Sequence, residues 1–282
     1  PKAYVESLFD QYADQFDAHL VQVLRYDAPR FLVDELRRVR TAPFRSTLDE
    51  ARDADLLVHL VDESDAAFPA QMEVTREVLR EIEAEGGRAA RIGADLADRH
   101  ALRDAAARAG DFFGPPDILV NAAGVNRRGA ILELADADWD ATMAINLAAP
   151  FFLANALAPA MLRRGWGRII NIASLQSQRA FPLSAPYGAS KGGIVQLTRA
   201  QAEAFSKDGV TANAIAPGFF PTELTAPVVD DPVRWRRMAE STFARRNGEL
   251  HDLRGTAVFL ASRASDYVTG QTIFVDGGFS AG

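Results

Sequence analysis

The sequence contains no cysteine, so disulfide bonds, thiol catalysis and metal sites built from thiolates are excluded. Its four histidines are scattered without the spacing of metal ligands, and no metal site is predicted. Lysine is scarce, because the 31 Lys and Arg residues include only Lys2, Lys191 and Lys207 as lysines. Glycine is missing from the first 85 residues, and all 20 glycines lie between Gly86 and Gly282. This shift in composition separates the start of the chain from the remainder.

The charge balance limits the partners of the protein. The formal net charge is −7, so no global basic field attracts nucleic acid. No signal-peptide pattern is visible, which predicts a cytoplasmic protein. The segment Ala141 to Leu162 holds no charged residue over 22 positions and is long enough to span a membrane. Pro150, Pro159, Asn146 and Asn155 within it favour a buried helix instead, and no membrane partner is predicted.

The first 50 residues are predicted to form an atypical helical segment. They are rich in helix formers and repeat apolar residues with a period near 3.6, with a break at Pro29. A polar linker from Pro43 to Glu50 follows, and residues 51–282 are predicted to form the main domain.

From residue 51 onward, apolar β-branched runs alternate with helix-forming segments. The predicted strands cover Ala54–Asp62, Ala89–Ala94, Ile118–Asn121, Arg168–Ala173, Thr211–Ile215 and Gln271–Val275. The predicted helices cover Ala70–Ala84, His100–Ala109, Ala137–Leu162 and Tyr187–Ser206. Such alternation predicts a doubly wound α/β fold, a parallel sheet with helices on both faces. The Pro- and charge-rich segment Thr222–Asn247 is predicted to form a mobile lid over a substrate.

Ser174, Tyr187 and Lys191 form the most informative pattern. Ser174 follows a predicted strand, at the edge where open α/β sheets hold ligands. Tyr187 and Lys191, four residues apart on a predicted helix, project from one face about a turn from each other. A free phenol titrates near pH ~10 and a neighbouring cation favours phenolate, so Lys191 is predicted to lower the pKa of Tyr187. A hydrogen bond from Ser174 to a substrate oxygen beside the phenol would complete a site for acid/base chemistry.

These three residues resemble the active-site signature of the short-chain dehydrogenase/reductase family. Further marks of the family occur in order: Asp95-Leu96, NAAG at Asn121–Gly124, Asn146, PGFFPTEL from Pro217 and VDGG at Val275–Gly278. The resemblance covers about residues 74–282 and depends on the whole set, since no single motif is specific. Within the family, NAAGVNRRG, IASLQSQ and APYGASKGG are most similar to the gluconate 5-dehydrogenase branch.

The resemblance implies a Rossmann-like fold and an NAD(P)-dependent oxidoreductase that interconverts a secondary alcohol and a ketone. Tyr187 would exchange the hydroxyl proton, and Lys191 would hold the nicotinamide ribose. Ser174 would stabilise the developing alkoxide, and Asn146 would hold a water connected to the lysine. The branch implies a sugar acid such as gluconate, whose carboxylate would meet Arg127 or Arg128.

The resemblance also implies a cofactor site and an assembly. The residues implied in cofactor binding are Asp62, Asp95, Leu96, Asn121, Ala122, Ala123, Gly124, Tyr187, Lys191, Gly218 and Phe220. Similar enzymes associate through apolar helices, which implies a homodimer or a homotetramer.

Several of these positions have a purely structural alternative. The sequence Asn121–Gly124 alone would equally fit a tight turn at the end of a strand. Asn146 would fit an ordinary core amide, and Gly218 would fit an ordinary Pro-Gly turn. Asp62 or Glu63 would accept the adenosine ribose hydroxyls if the strand before them takes the place of the family's second strand. That acid would favour NAD over NADP, whose 2′-phosphate it would repel. A solvated strand end or a helix cap is the alternative for Asp62.

The sequence departs from the family at its start. The family places a Gly-rich TGxxxGxG loop between its first strand and first helix, where backbone amides cradle the pyrophosphate. No glycine precedes Gly86 here, so the first strand-helix unit is predicted to be replaced or incomplete. Residues 4–29 instead resemble methyltransferases linked to tetratricopeptide repeats, and residues 43–84 resemble part of a ribosome-associated GTPase. The alternatives are therefore an inactive dehydrogenase-like scaffold, a chimeric chain, or a module whose N-terminal helices bind a protein partner.

Overall fold

The structure is a computed structural model, and it describes residues 57–62, 80 and 88–282 of the chain. These residues belong to the compact unit Glu50–Gly282. The predicted helical segment 1–50 lies outside the described residues, as does the predicted helix Ala70–Ala84 apart from Arg80. The division into domains 1–50 and 51–282 stays a prediction.

The described part of the chain contains six strands, and all of their ladders are parallel. They are β1 (Leu57–Asp62), β2 (Ala89–Ala94), β3 (Ile118–Asn121), β4 (Gly167–Ile172), β5 (Val210–Pro217) and β6 (Thr272–Val275). β1 pairs with β2, and the other four pair in the order β3-β4-β5-β6. The predicted parallel sheet is confirmed, although it forms two ladders because no described strand joins β2 to β3.

Seven α-helices lie between these strands. In the described residues they are α1 (Arg99–Phe113), α2 (Asp136–Met143), α3 (Ala149–Arg164), α4 (Ala185–Phe205), α5 (Ala226–Val229), α6 (Pro232–Glu240) and α7 (Arg254–Ala261). Local sequence sets their ends. The Asp98 carboxylate accepts a hydrogen bond of 2.7 Å from the His100 amide and caps α1. α3 ends at Gly165, whose φ of 70° favours glycine.

Helices cover both faces of the four-stranded ladder, as parallel strands require. Ile169 and Ile170 are neighbours in β4, and their side chains point to opposite faces. Ile169 joins a core cluster that includes residues of α1 and α3, and Ile170 joins another that includes Leu260 of α7. On a third part of the sheet, Ile194 of α4 packs among the alanines of β5. The predicted helices on both faces are confirmed.

The helical segment Asp136–Arg164 is the longest in the described chain. It combines α2, a π-helical segment at Ala144–Ala148 and α3. By length and composition alone it is apolar enough to cross a membrane. Leu153, Leu157 and Met161, however, are buried in the core cluster with α1. This burial agrees with the predicted core helix.

The segment Thr222–Asn247, predicted to be a lid, contains two short helices. Asp231 caps α6 by accepting hydrogen bonds from the amides of Val233 and Arg234. The motion of this segment stays a prediction.

Candidate active site

The predicted catalytic residues lie at one edge of the four-stranded ladder. β3, β4 and β5 are parallel, so their carboxyl ends meet at the same edge. Ala122–Gly124 follow β3, Ser174 lies two residues beyond β4, and Gly218 follows β5. The sequence therefore places each of these segments where an open α/β sheet binds ligands.

Ser174 begins a single 3₁₀ turn, Leu175–Ser177, which fixes its backbone. The Ser174 hydroxyl accepts a hydrogen bond of 3.1 Å from the Gln176 amide, and its own amide donates to the Ser177 hydroxyl over 3.3 Å. The Ser174 side chain lies close enough to the Tyr187 phenol to lower its pKa. The serine and the tyrosine predicted to act together are thus neighbours in the structure.

Lys191 lies one helical turn beyond Tyr187 on α4, which begins with Ala185-Pro186. Its ammonium nitrogen donates a hydrogen bond of 2.6 Å to the Ile172 carbonyl at the end of β4. The same nitrogen is 5.7 Å from the centroid of the Tyr187 ring. Lys191 therefore ties α4 to the strand that precedes Ser174.

The pKa of Tyr187 is raised, which corrects the prediction that Lys191 lowers it. Burial is the largest cause, because a buried phenol resists becoming an anion. The hydrogen bond with Ser174 and the charge of Arg128 act in the opposite direction and lower the pKa. Since Lys191 is not among these causes, Arg128 is the cation that favours the phenolate.

Burial also acts on the lysine itself. Lys191 is 3% exposed, and burial lowers its pKa from 10.5 to about 8. Within the described residues no carboxylate forms an ion pair with it. A fraction of the lysine can therefore lose its proton near neutral pH.

Asn146 lies within the π-helical segment and is 1% exposed. Its Oδ1 accepts a hydrogen bond of 2.8 Å from the Val125 amide. Its Nδ2 donates to the Val125 carbonyl over 2.9 Å and to the Ser190 hydroxyl over 3.0 Å. Both amide hydrogens are thus used by the protein, so the side chain braces the segment after β3. The predicted water relay through Asn146 stays a prediction, and such a water would have to meet Oδ1 or the main chain.

The turn after β3 is exposed at its first two residues and closely packed at the third. Ala122 and Ala123 are exposed. A Cβ on Gly124 would lie 3.3 Å from Asn146 Oδ1 and 3.6 Å from Lys191 Nζ. The small residues of this turn therefore leave the main chain accessible beside Lys191.

Other predicted cofactor residues point away from a ligand. Asn121 is buried, and its Nδ2 donates a hydrogen bond of 2.8 Å to Asn171 Oδ1, so its side chain braces β3 against β4. Leu96 is buried in the core, and Phe220 is buried against Gly248. The side chains of Asn121, Leu96 and Phe220 are thus packed inside the protein. These residues can contact a cofactor only through their main chains.

The other predicted cofactor residues include Asp95, Gly218 and Asp62. Asp95 Oδ1 accepts a hydrogen bond of 2.8 Å from the Ala97 amide. Gly218 approaches Asp276 closely, since a Cβ there would be 2.8 Å from the Asp276 Cα. Asp62 ends β1 opposite Ala94, and its side chain lies outside what the structure describes.

Two serines at the site were not predicted from the sequence. Ser177 bonds to the main chain of both Ser174 and Lys191, and Ser190 joins Asn146 to the carbonyl of Tyr187. The only sequence signal is their position, three residues after Ser174 and directly before Lys191.

Comparison with known proteins identifies this arrangement. A family model described as enoyl-(acyl carrier protein) reductase matches residues 63–280. The chain belongs to the short-chain dehydrogenase/reductase family. The match includes all of the predicted catalytic residues.

Two relatives within this family are named as a dehydrogenase and a reductase of sugar acids. Gluconate 5-dehydrogenase of Gluconobacter oxydans (strain 621H) is 42% identical over 199 residues, which are 71% of this chain and 78% of that protein. 5-Keto-D-gluconate 5-reductase of Escherichia coli (strain K12) is 36% identical over 200 residues, 71% of this chain and 79% of the relative. The resemblance to the gluconate 5-dehydrogenase branch is confirmed.

Solved structures of the family show the same fold. A gluconate 5-dehydrogenase from Burkholderia cenocepacia, in complex with NADP and tartrate, superimposes with a TM-score of 0.72. It is 38% identical, and the superposition covers 79% of this chain and 85% of that one. The Rossmann-like fold of this short-chain dehydrogenase/reductase is therefore confirmed.

Proposed function

We propose that this protein is an NAD(P)-dependent oxidoreductase that interconverts a secondary alcohol and a ketone on a sugar acid such as gluconate. The observation that carries the proposal is the convergence of Ser174, Tyr187 and Lys191 at the carboxyl edge of the sheet. The names of the relatives support the substrate class.

Tyr187 and Ser174 have different roles in the proton transfer. Tyr187 exchanges a proton with the substrate oxygen, and the Ser174 hydroxyl donates a hydrogen bond to the same oxygen. Because burial raises the pKa of Tyr187, the phenol is neutral near pH 7 and suited to protonate an alkoxide formed during ketone reduction. In the direction of alcohol oxidation the phenol must first lose its proton, and the charge of Arg128 favours that loss. A bound nicotinamide supplies or accepts the hydride.

The described residues fit the nicotinamide half of the cofactor. The exposed residues Ala122 and Ala123 leave main chain accessible, and a Cβ on Gly124 would lie 3.6 Å from Lys191 Nζ. Tyr187 and Lys191 would meet the ribose hydroxyls. The pyrophosphate half has no counterpart of the family's Gly-rich loop, because the sequence contains no glycine before Gly86. The preference for NAD, which rests on Asp62, stays a prediction, and the related structures named with a cofactor hold NADP.

Arg128 is the better of the two arginine candidates for the substrate carboxylate. Both Arg127 and Arg128 are exposed, but only Arg128 acts electrostatically on Tyr187. A guanidinium can bind a carboxylate through two parallel hydrogen bonds. A sugar acid held there would lie next to the phenol that handles its proton.

The apolar surface beside the long helix supports a homodimer or homotetramer. Trp139 is 45% exposed and Phe151 is 43% exposed. Phe151 also lines a surface cavity of about 570 Å³ whose other walls include Met143 and Leu197. Exposed aromatic side chains beside an apolar hollow are typical of surfaces that a second subunit covers. A cytoplasmic location completes the proposal.

Turnover tests the proposal directly. The purified protein is assayed for reduction of 5-ketogluconate with NADH and NADPH, followed by the loss of absorbance of the reduced nicotinamide. Tyr187→Phe should abolish turnover and leave the unfolding temperature nearly unchanged. Tyr267→Phe is the matched control, because Tyr267 is fully exposed and should tolerate the change. Undiminished activity of Tyr187→Phe would overturn the assignment.

The absent Gly-rich loop favours a second candidate, an inactive dehydrogenase-like scaffold. Calorimetric titration with NADH and NADPH distinguishes the two. Submillimolar binding of either dinucleotide would count against the scaffold, and lack of binding together with lack of turnover would support it.

A further inference from the structure

The turn that carries Ser174 lies directly against the catalytic helix. The turn passes close to two glycines of α4. A Cβ on Gly188 would lie 3.7 Å from the Gln176 carbonyl oxygen, and a Cβ on Gly192 would lie 3.8 Å from that of Ser177, which are ordinary van der Waals distances. The space between the turn and the helix at these positions therefore holds little more than a methyl group.

One hydroxyl joins the two segments. Ser177 Oγ accepts the Ser174 amide over 3.3 Å and donates to the Lys191 carbonyl over 2.7 Å. A serine hydroxyl has a single proton to donate, so this donor is fully used. The Ser177 hydroxyl thus hydrogen-bonds with the backbone of both Ser174 and Lys191.

A second link holds the same two elements from the other side. Lys191 Nζ donates to the Ile172 carbonyl, two residues before Ser174. The lysine therefore holds α4 to the end of β4, while Ser177 holds α4 to the turn that follows. Ser174 lies two residues beyond Ile172 in the chain, and its side chain is close enough to Tyr187 to lower the pKa of the phenol.

We infer that Ser177 is a positioning residue, which holds the Ser174 hydroxyl opposite the Tyr187 phenol through its bonds to the Ser174 amide and the Lys191 carbonyl. The inference rests on the proposed function, because it assigns Ser177 to that reaction. Ser177 contacts no reacting atom. Its removal would leave the Ser174 amide without its acceptor and free the turn to move on α4.

The experiment compares Ser177→Ala with Ser177→Thr, which keeps a hydroxyl. A misplacement of about 1 Å at a reacting centre lowers rates about 100-fold, so kcat of Ser177→Ala should fall about 10- to 100-fold. The KM values for cofactor and substrate should stay nearly unchanged, and Ser177→Thr should restore most of kcat. Ser241→Ala is the matched control, because its hydroxyl also donates to a main-chain carbonyl, that of Arg237, over 2.9 Å.

Normal kcat in Ser177→Ala, a change confined to KM, or no recovery in Ser177→Thr would overturn the inference. A second measurement does not need turnover. Amide exchange, followed by NMR or mass spectrometry, should accelerate at Ser174 in Ser177→Ala, return toward wild type in Ser177→Thr, and stay unchanged within α4.

If the wild type itself shows no turnover, the proposed function fails and amide exchange alone decides the inference. Local acceleration at Ser174 would then support the positioning role, and unchanged protection would overturn it.

Discussion

Replacing Lys191 with methionine shows how the buried charge of this lysine affects the stability of the folded protein, apart from its role in catalysis. Burial lowers the pKa of Lys191 from 10.5 to about 8. At about 1.4 kcal/mol per pKa unit, the buried charge lowers the free energy of unfolding at pH 7 by roughly 3 kcal/mol. Methionine removes this penalty but leaves the Ile172 carbonyl without its donor, which costs about 1–3 kcal/mol. Lys191→Met should therefore equal the wild type in stability at pH 7 or exceed it by up to about 2 kcal/mol.

The pH dependence of this difference has a definite sign. The folded pKa of Lys191 lies below the unfolded one, so the unfolded chain binds more protons between about pH 8 and pH 10.5. The stability of the wild type relative to Lys191→Met therefore rises with pH across this window. From pH 7 to pH 10 the advantage of the methionine variant should shrink by roughly 2–3 kcal/mol.

Urea denaturation at pH 7 and pH 10 measures the effect. Lys207→Met is the control, because Lys207 is exposed and its replacement should produce no such pH-dependent difference. A Lys191→Met protein that is less stable than the wild type by the same amount at both pH values would refute the reasoning, since burial of charge would then have no measurable effect.

Three further substitutions have defined outcomes. Arg128→Met should raise the pKa of Tyr187 and thereby move the limb of the pH–rate profile that the phenol sets to higher pH. It should also increase the KM for a sugar acid about tenfold. Arg127→Met is the control and should change neither the pH–rate profile nor the KM. Gly124→Ala places a methyl group 3.3 Å from Asn146 Oδ1 and should weaken dinucleotide binding several-fold by calorimetry; unchanged affinity would contradict the proposed position of the cofactor. Gly167→Ala would place a Cβ 2.7 Å from the Met161 Cβ and should lower the free energy of unfolding by about 1–3 kcal/mol. Gly110 of α1 has open space around it, so Gly110→Ala should raise the free energy of unfolding by about 0.5–1 kcal/mol.

The sheet was predictable because its signals are local. Strands Ala89–Ala94 and Ile118–Asn121 have the predicted bounds, since each is a short apolar run closed by residues that favour turns. The separation of β2 from β3 was not predictable, because strand pairing depends on which segments meet in space. The π-helical segment Ala144–Ala148 was missed for a similar reason, as its residues also suit an α-helix.

The candidate site was predictable in its members and less so in its energetics. The spacing of Tyr187 and Lys191 fixes their common face on α4, but spacing does not report burial. The pKa of Tyr187 is therefore raised where the sequence predicted a lowering, and the cation that acts on the phenol is Arg128, 59 positions earlier in the chain. Ser177 was missed because its importance arises from a contact with Lys191 across two segments.

The π-helical segment has a consequence for the exchange of parts between related dehydrogenases. Each residue of an α-helix turns the chain by about 100°, so deletion of one position after Asn146 would rotate α3 by that angle relative to the asparagine. Either the bonds from Asn146 to Val125 or the burial of Met161 would then be lost. Helices transplanted into this protein must therefore match its residue count between Asp136 and Met161, whereas the identities of the exposed residues between them can vary.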